Sequence, residues 1–317
     1  MQSLKAAATL LAVASLCASA VARQHFASDF RLEFEGNRVF PSEQLRGAAE
    51  SCYRKGHDWE KGLDRELLDY CLRNDVAEMM RRVGYVRARM GEPKVLGLGE
   101  TVTVTVPVEE NEFYRMGSLT ILGASHFDAK QLRELLPLKR GDIADSAAVS
   151  RWAFEHLQKK YADEGFIRYQ SDIDPEYRIE PGASEGVLDL TLNVDEGKQF
   201  TVRKLDFKLD SSVEVDVPEE VLRRALRLKE GQVFGAQKFN DGVARLNRLD
   251  LFSRLSSEGE TDPEFEEVDA VKDVVFHADE ETGELDIKIY LMERGRKRPG
   301  AADDVARPGK PSLIQRR

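Results

Sequence analysis

The 317-residue chain carries 47 Lys and Arg against 57 Asp and Glu, a formal net charge of −10, with 41% hydrophobic residues. That length suits two or three domains, and the hydrophobic content is enough to build their cores. The acidic balance excludes a protein held to nucleic acid by phosphate neutralisation, which needs a basic surface.

The chain opens as a targeting segment. Lys5 is a basic start, Ala6 to Leu16 an apolar stretch, and Ala18-Ser19-Ala20 or Ala20-Val21-Ala22 a small-residue cleavage site. Residues 1–22 are therefore expected to leave as a signal peptide, cut at Ala20 or Ala22. An uncleaved anchor is the alternative, although the run is shorter than the ~20 residues that span a bilayer. A lipid-modified Cys17 fits poorly behind the bulky Leu16.

Three units of one grammar follow. The first opens with an alternating strand, Phe30 to Phe34, and a helix starting at Ser42 after Pro41. Cys52 and Cys71 remain as an even pair in an exported chain, where a structural disulfide of about 3 kcal/mol is expected to tie the two helices. Their spacing excludes a C-x-x-C redox site, and His57 is alone, so no zinc site is read there. Leu68, Leu72, Val76 and Met80 recur at i+4 as the core face of a second helix. Gly84-Tyr85 closes that helix and is expected to begin a second strand, Tyr85 to Arg89. Gly97-Leu98-Gly99 reads as a hairpin turn, and Val102, Val104, Val106 and Val108 form a third strand.

The second unit repeats the order. Leu119 to Ile121 is its strand, Asp128 starts its first helix, and Leu138-Lys139-Arg140-Gly141-Asp142 joins the helices. Val149, Ala153, Leu157 and Tyr161 make the next stripe, Gly165-Phe166 closes it, and Leu188 to Val194 is the last strand. In the third unit Leu205 to Leu209, Pro218, Leu228 to Gln232, the stripe Phe239, Val243 and Leu246, Leu251-Phe252, and Leu285 to Leu291 take the same places. An acidic insertion from Ser256 to Gly283 interrupts this unit, and within it Val271 to His277 reads as an extra or lengthened strand.

Landmarks recur at constant offsets: 87 residues from Gly36 to Gly123, 86 from Val108 to Val194, and 86 from Phe166 to Phe252. The fold class is α+β, with three tandem β-α-α-β-β modules, each a three-stranded sheet packed under two helices. The modules span 29–112, 113–199 and 200–293. The tail, 294–317, has eight Lys or Arg against two Asp and five Pro or Gly besides Gly295, and is read as a disordered basic segment able to contact anionic lipid.

This order, with Phe34-Glu35-Gly36-Asn37, the helix end Tyr161-Ala162-Asp163-Glu164-Gly165-Phe166 and the junction Val194-Asp195-Glu196-Gly197-Lys198-Gln199-Phe200, resembles POTRA (polypeptide-transport-associated) domains. The resemblance implies periplasmic modules of the kind that precede a β-barrel in outer-membrane assembly and two-partner secretion proteins. Here 24 residues follow Glu293, without the ~10-residue alternating segments of membrane strands, so no pore activity is carried over. The resemblance also implies docking by strand addition at the second strand, on rails at Val86, Arg87, Ala88 and Arg89 and at Phe166, Ile167, Arg168 and Tyr169. The competing reading of these arginines is protection of an edge against aggregation.

Chemistry is not legible. His25, His57, His126, His156 and His277 are scattered, and no nucleophile elbow, phosphate loop or metal spacing occurs, so no catalytic residue, metal or cofactor is expected. The function expected is a non-enzymatic periplasmic scaffold that docks client or partner polypeptides, periplasmic or outer-membrane proteins and a separate barrel among them, in outer-membrane protein assembly or secretion. The alternatives are an envelope-organising protein binding folded periplasmic partners, or a truncated remnant of a barrel assembly protein.

Overall fold

The computed structural model describes residues 29–56, 63–96, 101–209, 217–255 and 273–292. The expected signal peptide with its cleavage at Ala20 or Ala22, the turn expected at Gly97-Leu98-Gly99, residues 256–272 of the insertion and the basic tail lie outside the described residues.

Each module places its last strand at the centre of its sheet. In the first, β1 (Asp29–Glu35) runs parallel to β4 (Thr101–Glu109), and β2 (Arg89–Met90) and β3 (Lys94–Leu96) pair antiparallel on the other side of β4. The second strand is thus in two pieces, split at Gly91-Glu92-Pro93, where a proline cannot donate to the ladder. In the second module the order is β5 (Tyr114–Leu122), β7 (Gly186–Asp195), β6 (Gln170–Arg178). In the third it is β8 (Thr201–Leu209), β10 (Glu284–Leu291), β9 (Val274–Asp279). Alternation buries one face of each central strand: Val104 and Val106, Leu192, and Leu285 and Ile289 are fully buried.

Two helical segments cover each inner face. The first helices are α1 (Ser42–Gly56), α4 (Ala129–Glu134) and α7 (Glu219–Leu226), and Asp128 caps α4 in a reciprocal capping box with Gln131. The second helices of modules one and two are α2 (Arg65–Cys71) with α3 (Ala77–Arg81), and α5 (Ser146–Arg151) with α6 (Leu157–Asp163). Each pair is joined by a π turn, Leu72–Val76 or Trp152–His156. In module three α8 (Ala236–Arg248) runs unbroken.

The stripes explain this difference. A strict i+4 repeat drifts by about 40° per step on a helix of 3.6 residues per turn, or about 120° over three steps. One residue inserted as a π turn absorbs about 100° and keeps Leu68, Leu72, Val76 and Met80, or Val149, Ala153, Leu157 and Tyr161, on one buried face. Phe239, Val243 and Leu246 shorten to i+3 and need no insertion. Cys52 and Cys71 are bonded in the structure with Cα atoms 5.6 Å apart, pinning α1 to α2.

The third module corrects one expectation. Leu251-Phe252 begins no strand; the Ser253 N–H donates to the Met292 carbonyl (2.9 Å), and the second strand forms only after the insertion, as β9. Residues 274–277 of the segment expected as an extra strand belong to the module's second strand itself.

Candidate functional site: joints and sheet edges

The helix ends fix where each second strand begins. Gly84 and Gly165 take φ of +96° and +89°, the left-handed conformation that reverses the chain. The Tyr85 N–H then donates to the Met80 carbonyl (3.3 Å), and the Phe166 N–H to the Tyr161 carbonyl (2.9 Å). A further turn closes from Ala88 N–H to Tyr85 O (2.8 Å) and from Tyr169 N–H to Phe166 O (3.2 Å). Pairing with the central strand starts only at Arg89 and Gln170.

The expected rails are corrected accordingly. Of the eight residues, Arg89 alone lies on a strand; Val86, Arg87, Ala88, Phe166, Ile167, Arg168 and Tyr169 lie in these turns. The physical reason is that the chain needs a full reversal between helix and sheet before a ladder can form.

These turns are the joints between modules. Val86 is buried in the core of module two, and Ile167 packs against the core of module three. The Gly84 carbonyl accepts from Tyr114 N–H (2.8 Å) and the Gly165 carbonyl from Phe200 N–H (2.9 Å), so each joint feeds the next module's first strand. A Cβ on Gly84 would sit 2.3 Å from the Phe113 ring, and one on Gly165 2.8 Å from Val233. Arg87 lies over the Tyr177 ring of β6 at 5.4 Å, and Arg168 pairs with Glu280 of module three at 2.7 Å. The joints thus repeat residue for residue, 81 positions apart.

Two buried carboxylates close the modules beneath the joints. Glu110 accepts from Val39 N–H and Phe40 N–H at 3.0 Å. Glu196 accepts from Ser125 N–H and His126 N–H, each at 2.9 Å, from the Ser125 hydroxyl, and from the Tyr161 hydroxyl at 2.8 Å. Burial raises the Glu196 carboxyl, but the hydrogen bonds from Ser125, His126 and Tyr161 outweigh it and leave its pKa below the ordinary carboxylate range.

The two edges of each sheet differ. On the first-strand side an arginine of the first helix donates to an edge carbonyl in every module: Arg46 to Leu32 O (3.1 Å), Arg133 to Leu119 O (2.9 Å) and Arg223 to Leu205 O (2.8 Å). In modules two and three the loop between the helices also pairs along this edge, Gly141 N–H to Met116 O (2.8 Å) and Gly231 N–H to Val202 O (2.7 Å). These contacts close the first edge. On the opposite side, no hydrogen bond from outside its own sheet reaches the backbone of β6 among the described residues. β6 is nine residues long, paired to β7 throughout, and holds Pro175, which a sheet tolerates at an edge. The Leu-Arg pairs at 45–46, 132–133 and 222–223 were a readable repeat in the sequence, but a dipeptide is too short to stand out without the fold.

Side chains brace the open strand. Asp189 of β7 accepts from the Ser118 hydroxyl (2.6 Å), the Ser118 N–H (2.5 Å) and Arg178 Nε of β6 (2.6 Å). The Ser118 hydroxyl, together with its N–H and Arg178, holds the Asp189 carboxyl down to about 2. The π turn frees the Ala153 carbonyl, which accepts from Tyr169 OH and Ser171 Oγ, both at 3.3 Å. Cys52, Cys71 and Asp75 are the one set of His, Cys, Asp and Glu atoms close enough to hold a metal among the described residues, and its two sulfurs are bonded to each other.

Comparison with known proteins places this architecture. The family model described as "POTRA: Surface antigen variable number repeat" matches residues 114–197 and 201–294, more than half of the chain. The chain is 26% identical over 250 residues to a candidate outer membrane protein assembly factor of Treponema pallidum, covering 77% of this chain and 29% of that protein. It is 22% identical over 242 residues to the outer membrane protein assembly factor BamA of Nitratidesulfovibrio vulgaris, covering 72% and 28%. It therefore spans less than a third of the length of these curated relatives. The crystal structure of Haemophilus influenzae BamA POTRA3-5 superposes with a TM-score of 0.60 at 22% identity, covering 85% of this chain and 97% of that one, and shares the fold. With both matched segments coinciding with its second and third modules, the chain belongs to the POTRA family.

Proposed function

We propose that this chain is a non-enzymatic periplasmic scaffold of outer-membrane protein assembly or secretion that docks client polypeptides by adding an extended segment to the open edge of β6, with β9 as a second such edge. The observation that carries this reading is the asymmetry of the sheets. The first-strand edge is closed by Arg46, Arg133 or Arg223 in every module, while the backbone of β6 is left without an outside partner among the described residues. An unpaired row of N–H and C=O groups is a template for a further strand, and backbone bonds give affinity with little demand on sequence. The family relationship supports the assembly context, since both curated relatives carry assembly factor in their names. The bonded cysteine pair agrees with an oxidising compartment.

The test is photo-crosslinking in the full chain, with a photoreactive residue at Asp174 on β6 or Thr120 on β5, offered an unfolded outer-membrane barrel protein. Crosslinking at 174 and not at 120 is expected. Equal yields at both positions, or none at 174, would overturn the reading.

A further inference from the structure

The free edge of β6 differs between its two faces. Ser171 bonds the helix carbonyl of Ala153, Ile173 packs against the core, and Tyr177 stacks edge-on against buried Tyr114 at 5.3 Å, so the odd positions face the helices. Asp172, Asp174 and Glu176 therefore line the solvent face, and all three are exposed. Their partners across the ladder are Asn193, Thr191 and Asp189. Asp189 is already engaged by Ser118 and Arg178, and none of the three edge carboxylates is held in an ion pair among the described residues. Three negative charges thus stand at alternate positions on the one row that a docked strand would lie beside.

A strand added to β6 would place the Cβ atoms of its own solvent-face residues about 4.5–5.5 Å from those of Asp172, Asp174 and Glu176. At that separation opposite charges attract and like charges repel, and the effect multiplies over three successive pairs. The helix-side row of the same strand would meet Ser171, Ile173, Pro175 and Tyr177, which favour apolar or small partners.

β9 carries no such stripe. Phe276 pairs with buried Ile287, so Val275, His277 and Asp279 form its solvent face, opposite Lys288, Asp286 and Glu284. Of these two open edges, only β6 carries an acidic stripe.

We propose that β6 selects strands bearing lysine or arginine at alternate positions, with apolar residues between them. This rests on strand addition at β6, and it names the chemistry of the strand that β6 accepts. The stripe sets the choice among strands, and the unpaired backbone of the edge holds the strand.

The experiment uses the full chain and two synthetic nine-residue peptides. Both have valine at odd positions, and they carry lysine or glutamate at even ones. Binding is measured by fluorescence anisotropy at low salt and at 1 M salt, with crosslinking from position 170 to locate the peptide. The lysine peptide is expected to bind about tenfold more tightly at low salt, with the difference shrinking at 1 M, where the screening length falls to about 3 Å. Replacing the stripe (Asp172→Asn, Asp174→Asn, Glu176→Gln) should abolish the preference, and Asp172→Lys with Asp174→Lys and Glu176→Lys should invert it. Thermal unfolding of each variant checks the fold, and exposed substitutions on this face leave it intact.

Equal affinity of both peptides, each crosslinked at β6, overturns the selectivity and leaves strand addition standing; the stripe then only keeps the edge from pairing with itself. A lysine preference that survives the neutral triple variant also overturns the proposal, because it arises elsewhere on an acidic protein. If neither peptide reaches β6, strand addition fails and the selectivity with it.

Discussion

Replacing Glu196 by Gln tests the packing of module two where buried charge matters most. The carboxylate serves four donors, and one of them, the Tyr161 hydroxyl, belongs to a fully buried side chain. Gln keeps the shape, removes the charge and turns an N–H₂ group toward donors. Hydrogen bonds to charged groups contribute about 1.5–3 kcal/mol, neutral ones about 1, and a stranded buried hydroxyl costs about 1–3. Ser125 and His126 are exposed and regain water, so the loss is set mainly by Tyr161, and about 2–3 kcal/mol is expected. The pH dependence has a definite sign. The folded carboxyl lies below its ordinary value of about 4.5, so its contribution is complete above pH 4.5 and is lost as the pH falls through the lower folded value. Trp152 is fully buried in this module, and in a Trp59→Phe background it is the only tryptophan left. Its fluorescence during urea unfolding therefore reports module two locally, which matters in a chain of several modules. A double-mutant cycle with Tyr161→Phe should give a coupling of about 1–2 kcal/mol. An unchanged midpoint for Glu196→Gln, with a pH profile parallel to the parent chain, would show that the buried carboxylate does not stabilise module two.

Other perturbations probe the remaining features. Gly165→Ala places a Cβ at positive φ and against Val233; a loss of about 1–2 kcal/mol is expected at the second joint. It would appear as faster limited proteolysis between modules two and three while the Trp152 signal stays native. Replacing both Cys52 and Cys71 by Ser should destabilise module one by about 3 kcal/mol, and alkylation of the parent chain without reductant should label neither Cys52 nor Cys71. Removing the residues after Glu293 deletes a surplus of six positive charges and should abolish co-sedimentation with anionic vesicles, while unchanged sedimentation would discard the lipid contact.

Much of the fold is written in the chain because each module repeats the same periodicities. The period-2 runs of Val102 to Val108, Leu188 to Val194 and Leu285 to Leu291 became the three central strands, and both i+4 stripes became helices whose π turns their spacing demands. The second strands were less legible. Tyr85-Val86-Arg87-Ala88-Arg89 alternates like a strand, but its apolar residues serve two different cores: Ala88 the first module's and Val86 the second's. Period alone does not tell a two-sided turn from a one-sided strand. The second strand of module three was displaced by an insertion, so the aromatic that marks its start elsewhere marks only a turn. The arginines that close the first edges are single long-range bonds, and only the folded sheet shows which carbonyl each one reaches.

The asymmetry of the edges is tested most directly by amide hydrogen exchange on the full chain, with and without a saturating client strand. New protection is expected across 170–178 of β6, with β5 at 114–122 unchanged because its edge is already occupied. Protection gained along β5, or none along β6 at saturation, would contradict the asymmetry.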